Sequence, residues 1–112
     1  MTAAVARYID DLHDHGGLKG TDIANIAQVS SATVHRWKAG SHLPHPREQL
    51  LLATMHYIVS RLEAYYDPKE IRIWLQAPHP QLGGRRAIDA IVEGRAEEVI
   101  AILDRLDAEV YL

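Results

Sequence analysis

Residues 21–40 read TDIANIAQVSSATVHRWKAG, and this stretch decides the fold. Apolar residues fall at Ile23, Ala24, Ala27, Val29, Val34 and Trp37, the spacing of two short amphipathic helices joined by a tight turn. Thr21 is placed to cap the first helix, with Asp22 in its first turn where the helix dipole favours a carboxylate. Ala24 stands where the two helices approach most closely, and Val29 plugs the turn. Ser30 caps the second helix, Val34 and Trp37 share its inner face, and Gly40 supplies a left-handed stop. Ser31, Ala32, Thr33, His35, Arg36 and Lys38 then point outward. This is the layout of a helix-turn-helix, whose second helix enters a DNA major groove. Gln28 departs from the usual pattern. It occupies the turn position where glycine is commonest, and a positive φ there costs about 1 kcal/mol or more, so a slightly reshaped turn is expected.

Charge supports the same region. The chain carries a net charge of −3 over 112 residues, which taken globally opposes nucleic-acid binding. Between Asp22 and Glu48, however, no acid occurs, while Arg36, Lys38, Arg47, His35, His42 and His45 all lie there. The acids collect at Asp10, Asp11 and Asp14 and in the segment from Glu93 to Glu109. On the second helix, Ser31, Ala32 and Arg36 are the candidates for base edges, with Arg36 suited to a bidentate contact on guanine. Thr33, His35 and Lys38 are the candidates for phosphates. Small side chains at Ser31 and Ala32 read little, so two copies on a palindrome, and hence a homodimer, are expected.

Outward from this motif, Val5, Tyr8, Ile9 and Leu12 mark an amphipathic helix from Ala3 to about His15, ended by Gly16-Gly17. Pro44 and Pro46 keep the loop after Gly40 extended. A long helix follows from Pro46 to about Tyr66, with Leu51, Met55, Ile58, Val59 and Leu62 on a stripe that Leu50, Leu52 and Tyr65 widen. So broad an apolar surface suits a helix packed on two sides, or one packed on the core and on a second copy. Asp67-Pro68-Lys69-Glu70 is a strong helix start, with an Asp cap, Pro at the first position and Glu at the third. Ile71, Trp74 and Leu75 belong to that helix. A proline- and glycine-rich break, Ala77 to Gly84, separates it from a short helix over Arg86 to Glu93 and a last one over Arg95 to about Glu109. No strand pattern appears. The expectation is an all-α chain, with a helix-turn-helix bundle over residues 1–66 and a small helical domain over 67–112.

The segment WLQAPHPQLGGRRAIDAIVEGRAEEVIAILDRLDAEVYL, from Trp74 to Leu112, resembles the toxin-binding domain of the MbcA/ParS/Xre antitoxin family. The resemblance is carried by Trp74-Leu75, Pro78, Leu82-Gly83-Gly84, the Ile88 to Ile91 helix, Gly94 and the apolar face from Val99 to Leu106. The helix-turn-helix, with Ala24, Val29, Val34, Trp37 and Gly40, looks like the Xre, or phage-repressor, group. Together these cover nearly the whole chain in the family's order. The resemblance implies a type II antitoxin that neutralises a RES-domain, NAD-degrading toxin by blocking its active site, and that represses its own operon through operator DNA. It assigns toxin contact to Trp74, Leu82, Gly83, Gly84, Arg85, Arg86, Val110, Tyr111 and Leu112. Ala87 and Glu109 depart from the pattern, where proline and glycine are usual.

From the residues alone, these positions keep two readings. Trp74 serves as an interface anchor or as core; Arg85 and Arg86 pair with a partner's anionic groups or sit solvated at a helix start; Val110-Tyr111-Leu112 docks into a partner or tucks onto its own core. The competing class is a stand-alone helix-turn-helix regulator whose second half dimerises or senses a ligand. No apolar run approaches the ~20 residues of a membrane span, the N-terminus has no signal-peptide pattern, and there is no cysteine. A cytoplasmic protein is expected. His13 and His15, at i and i+2, diverge on a helix, and His42 and His45 lack an acid or thiol partner, so no metal is expected. With no phosphate-binding glycine loop, nucleophile elbow or carboxylate pair, neither catalysis nor a cofactor is expected.

Overall fold

The computed structural model describes residues 2–110, with side chains from Ala4 onward, and over these the chain is helical. The helices are Thr2–Asp14 (α1), Gly20–Ala27 (α2), Ser31–Ala39 (α3), Pro46–Leu62 (α4), Pro68–Gln76 (α5), Ala87–Val92 (α6) and Ala96–Val110 (α7), with a 3₁₀ turn at Pro80–Leu82. Among the described residues no strand forms; one isolated antiparallel bridge joins Pro78 to Arg86. The all-α expectation holds.

Local chemistry sets most of the helix ends. The Ser30 hydroxyl accepts from the Thr33 amide at 3.1 Å and caps α3, and Gly40 closes it in the left-handed region at φ 79°. Asp67 accepts from the Glu70 amide at 2.8 Å while Glu70 accepts from the Asp67 amide at 3.0 Å, a reciprocal capping box on α5. Gln28 adopts φ 60° and ψ 44° and is the single non-glycine residue with positive φ among those described. The turn is thus not reshaped, contrary to expectation: Gln28 takes the left-handed conformation and bears the strain.

Two boundaries differ from expectation. Thr21, expected to cap α2, lies inside that helix and is exposed. The helix begins two residues earlier, capped at Lys19, because the Asp22 carboxylate reaches back to the Lys19 amide at 2.8 Å and satisfies it. The long helix stops at Leu62 rather than near Tyr66. The chain has to leave the helix before Asp67, whose backbone is extended ahead of Pro68. The Tyr65 and Tyr66 amides meanwhile both turn back to the Leu62 carbonyl, each at 3.0 Å.

The core runs through both halves of the chain. Val5, Ile9 and Leu12 of α1 pack with Ile23, Ala24 and Ala27 of α2 and with Val34 and Trp37 of α3. Helix α4 is shared: Leu52, Met55, Ile58, Val59 and Leu62 are all buried, and the helix touches α1 and α2 before it and α6 and α7 after it. Its broad apolar stripe is explained by packing on two sides. Burying a Leu, Ile or Met of this kind contributes roughly 1.5–3 kcal/mol, so α4 is the main stabilising joint. Ile26, absent from the sequence-based core, is 6% exposed and lies beside Ile88 and Val92 of α6. The two halves are also joined by polar contacts. Arg72 of α5 donates twice to Asp22 of α2, each at 3.3 Å. Gly17, before α2, packs so tightly on α5 that a Cβ there would lie 2.4 Å from the Pro68 carbonyl oxygen.

Candidate functional site

On α3, Val34 and Trp37 are buried, at 4% and 2% exposed, while Ser31, Ala32, His35, Arg36 and Lys38 are exposed on the other side. Trp37 is therefore core. Thr33 is half-buried and built into the cap. Its hydroxyl lies 2.9 Å from the Ser30 hydroxyl and accepts from an Arg36 Nη2 at 3.1 Å. Lys38 lies 3.3 Å from the Asp10 carboxylate of α1, an exposed pair of the kind that contributes little to stability. Arg36, held only by a neighbouring hydroxyl, has no carboxylate partner among the described residues. The face that would meet DNA thus presents Ser31, Ala32, His35 and Arg36 outright, with Lys38 tied to α1.

The second candidate surface is built around Trp74. Ile71 and Leu75 of α5 are fully buried, and Trp74, on the flank of that face, is half-buried. Its indole packs against the His79 ring, with centroids 4.4 Å apart. On one side lies a mainly apolar depression of ≈ 380 Å³ lined by Tyr66, Glu70, Ile73, Trp74, Ala77 and His79. Ile73 is 60% exposed there. On the other side a second depression, ≈ 250 Å³, reaches across to Ile102, Arg105, Leu106 and Glu109 of α7. Trp74 and the C-terminal end of α7 therefore border one surface, and Val110 follows with its side chain 57% exposed. Tyr111 and Leu112 lie outside the described residues.

A polar clamp on α4 fixes this end of α7. Arg61 Nη2 donates to Asp104 at 2.9 Å and Asp107 at 2.8 Å, and Arg61 Nη1 donates to the Tyr57 hydroxyl at 2.7 Å. The Tyr65 hydroxyl donates to Asp107 as well. The guanidinium pKa is raised by the Asp104 and Tyr57 hydrogen bonds, and the Asp107 carboxyl is held below the usual carboxylate range by Tyr65 and then Arg61.

The turn over Leu82 to Arg86 lies directly behind the Trp74 surface, its Leu82 and Gly84 amides donating to the His79 carbonyl at 3.0 and 2.9 Å. Leu82 is 3% exposed and fills the core beneath the turn. Gly83 and Gly84 adopt φ 68° and 84° with open space around them, so left-handed backbone, and not crowding, selects glycine there. Arg85 is half-buried and pairs with Glu93 at 2.7 Å and Glu98 at 3.8 Å. Arg86 grips Asp89 with two bonds of 2.8 Å, which lower the Asp89 pKa and raise that of Arg86. Both arginines thus have carboxylates within the chain. Sequence reasoning missed Tyr66, Ile73 and His79 at the Trp74 surface; the one available signal was a histidine between two prolines directly after the helix that carries Trp74. Among the described residues no cluster of His, Asp and Glu is arranged to hold a metal ion, and no helix is long and apolar enough to cross a membrane.

Comparison with known proteins places these surfaces in a family. Residues 61–108 match the family model described as the antitoxin Xre/MbcA/ParS C-terminal toxin-binding domain, a span that contains Arg61 with Asp104 and Asp107, Trp74 and most of α7. A protein named a probable mycobacterial cidal antitoxin, from Mycobacterium tuberculosis, is 30% identical over 83 residues, covering 74% of this chain and 70% of its own. The mycobacterial cidal antitoxin MbcA of Mycobacterium bovis is 24% identical over 96 residues, covering 86% of this chain and 85% of its own. A chain of the solved MbcT–MbcA toxin–antitoxin complex of M. tuberculosis superposes with a TM-score of 0.80 at 23% identity, over 99% of this chain and 96% of that one. The fold, the matched segment and the 30% relative agree: the chain belongs to the Xre/MbcA/ParS antitoxin family.

Proposed function

We propose that this chain is the antitoxin of a type II toxin–antitoxin pair. It binds a RES-domain toxin that degrades NAD, neutralises it by covering the entrance to its active site, and represses its own operon through the helix-turn-helix. The observation that carries this reading is the half-buried Trp74 between two open depressions, one of them bordered by the end of α7, within the segment that matches the toxin-binding family model. Buried aromatic anchors ringed by apolar surface are where binding energy concentrates in protein interfaces. MbcA forms a toxin–antitoxin complex with MbcT, and on this reading the present chain engages its own toxin through residues 67–112.

Trp74 is the anchor, and Val110, Tyr111 and Leu112 are the occluding end. Leu82, Gly83, Gly84, Arg85 and Arg86 complete the toxin-binding set, in the turn that braces this surface from behind. Residues 1–66 carry the DNA function: Arg36, Ser31 and Ala32 face the bases, and Thr33, His35 and Lys38 lie toward the phosphates. Two copies on a palindrome supply the affinity that one thin recognition face lacks. The chain works in the cytoplasm and contributes surfaces, with no catalysis and no cofactor of its own.

Expressed alone, the product of the neighbouring reading frame should drain cellular NAD and stop growth, and co-expression with this chain should restore both. Continued NAD loss in the presence of the chain would overturn neutralisation. Removing Val110 to Leu112 separates binding from occlusion. A complex that still forms but no longer protects NAD is expected, whereas full protection by the truncated chain would contradict active-site blocking.

A further inference from the structure

The sequence Ala77-Pro78-His79-Pro80 sets a histidine between two prolines immediately after α5. The main chain of His79 is held from both sides. Its amide donates to the Arg85 carbonyl at 3.0 Å, and its carbonyl accepts from the Leu82 and Gly84 amides at 3.0 and 2.9 Å. The side chain therefore leaves a fixed point and reaches back over the helix it follows. Its Nε2 lies 2.8 Å from the Trp74 carbonyl oxygen, one of the last-turn carbonyls of α5 that lack a partner within the helix. A carbonyl only accepts, so Nε2 carries the hydrogen, in the neutral and the protonated ring alike. The same imidazole lies against the Trp74 indole, centroids 4.4 Å apart and planes inclined by 49°. One side chain thus fixes both the backbone and the ring of Trp74, and the pair forms the ridge between the two depressions.

We propose that His79 is the positioning residue of the toxin-docking surface: it holds the Trp74 indole in place, so that the free protein already presents the docking shape. The inference rests on the reading of the Trp74 surface as the toxin contact. It also gives the proline-rich break a purpose, because the Pro78–Arg86 bridge and the glycine turn set the His79 backbone. An indole released from His79 has to be ordered when the partner docks, which lowers affinity by roughly threefold to tenfold.

The test uses the full chain labelled with 5-fluorotryptophan, its two ¹⁹F resonances assigned through Trp74→Phe, and the toxin encoded by the neighbouring reading frame as the binding partner. In His79→Ala the Trp74 resonance should move toward the position of a solvated indole while that of Trp37 stays. Toxin affinity should fall roughly threefold to tenfold with little change in the unfolding midpoint. His79→Gln, whose side-chain amide can donate to the same carbonyl, should recover part of the loss. If His79→Ala binds as tightly as the wild type while Trp74→Ala is weakened, the positioning role is wrong and the surface assignment stands. Weakened binding with an unmoved Trp74 resonance also overturns the positioning role, since His79 would then act by touching the toxin. If Trp74→Ala itself binds as tightly as the wild type, the surface assignment falls and the positioning role with it.

Discussion

Replacing Gly17 by alanine asks whether the two halves of this antitoxin share one folded body. Gly17 has φ 65°, and a Cβ there would meet the Pro68 carbonyl oxygen at 2.4 Å, the Pro68 carbonyl carbon at 3.0 Å and the Arg72 Cβ at 3.4 Å. Two costs add. The left-handed backbone penalises any L side chain by about 1–2 kcal/mol. The close approach is to backbone, which cannot rotate away, so the loop and the first turn of α5 must separate, at about 1–3 kcal/mol for an overpacked contact. The sum is about 2–5 kcal/mol. Gly84 supplies the control: at φ 84° it has nothing within 4 Å of its notional Cβ, so Gly84→Ala should cost the backbone penalty alone, about 1–2 kcal/mol. Urea unfolding followed by circular dichroism measures both. Gly17→Ala should lose more stability than Gly84→Ala and still unfold in one transition. Equal losses would refute the tight apposition of residue 17 on α5, and two separate transitions would refute a core shared through α4.

Other expectations follow from single residues. Gln28→Gly removes the strain of the one left-handed non-glycine residue described but adds freedom to the unfolded chain, so unfolding stability should rise by no more than about 1 kcal/mol; a loss above 1 kcal/mol would mean that the Gln28 side chain makes a contact of its own. Arg36→Ala should weaken operator binding in a gel shift on the upstream DNA by about 1–3 kcal/mol, and unchanged binding would remove Arg36 from the recognition surface. Asp107 should show in the acid limb of stability. Its native pKa is lowered by Tyr65 and then Arg61, so its contribution is present above the unfolded-state carboxyl value, about pH 4, and is lost as pH falls through the lower native value. Asp107→Asn should therefore lower the urea midpoint at pH 7 and converge with the wild type at low pH; a constant difference across that range would show that titration of Asp107 is not the cause.

The two short helices over residues 20–39 and the turn between them were legible because their signals are local. Ser30, Gly40 and the Val34–Trp37 spacing each act within one or two turns, and the structure places all of them where the sequence does. The same holds for Asp67-Pro68-Lys69-Glu70, whose capping box is complete within four residues. What sequence could not supply were contacts between distant elements. Thr21 looked like a cap because nothing local showed that Asp22 would serve the Lys19 amide. Ile26 falls off the inner face defined by α2 and α3 alone, and is buried only because α6 comes to lie against α2. Arg85 and Arg86 looked available to a partner, and only the fold brings Glu93 and Glu98 to the first of them. Trp74 could be named from its place in a motif, but its partner His79 and the neighbours Tyr66 and Ile73 needed the geometry of the turn.

On the proposed function, two surfaces of one chain divide the labour: the Trp74 side meets the toxin and α3 meets the operator. Hydrogen–deuterium exchange, comparing the free chain with its complex with the neighbouring gene's product, tests it most directly. Protection should appear over residues 66–79 and over the C-terminal turns of α7, while residues 31–38 exchange as in the free protein and become protected only when operator DNA is added. Toxin-induced protection centred on residues 31–38, with the Trp74 region unchanged, would contradict it.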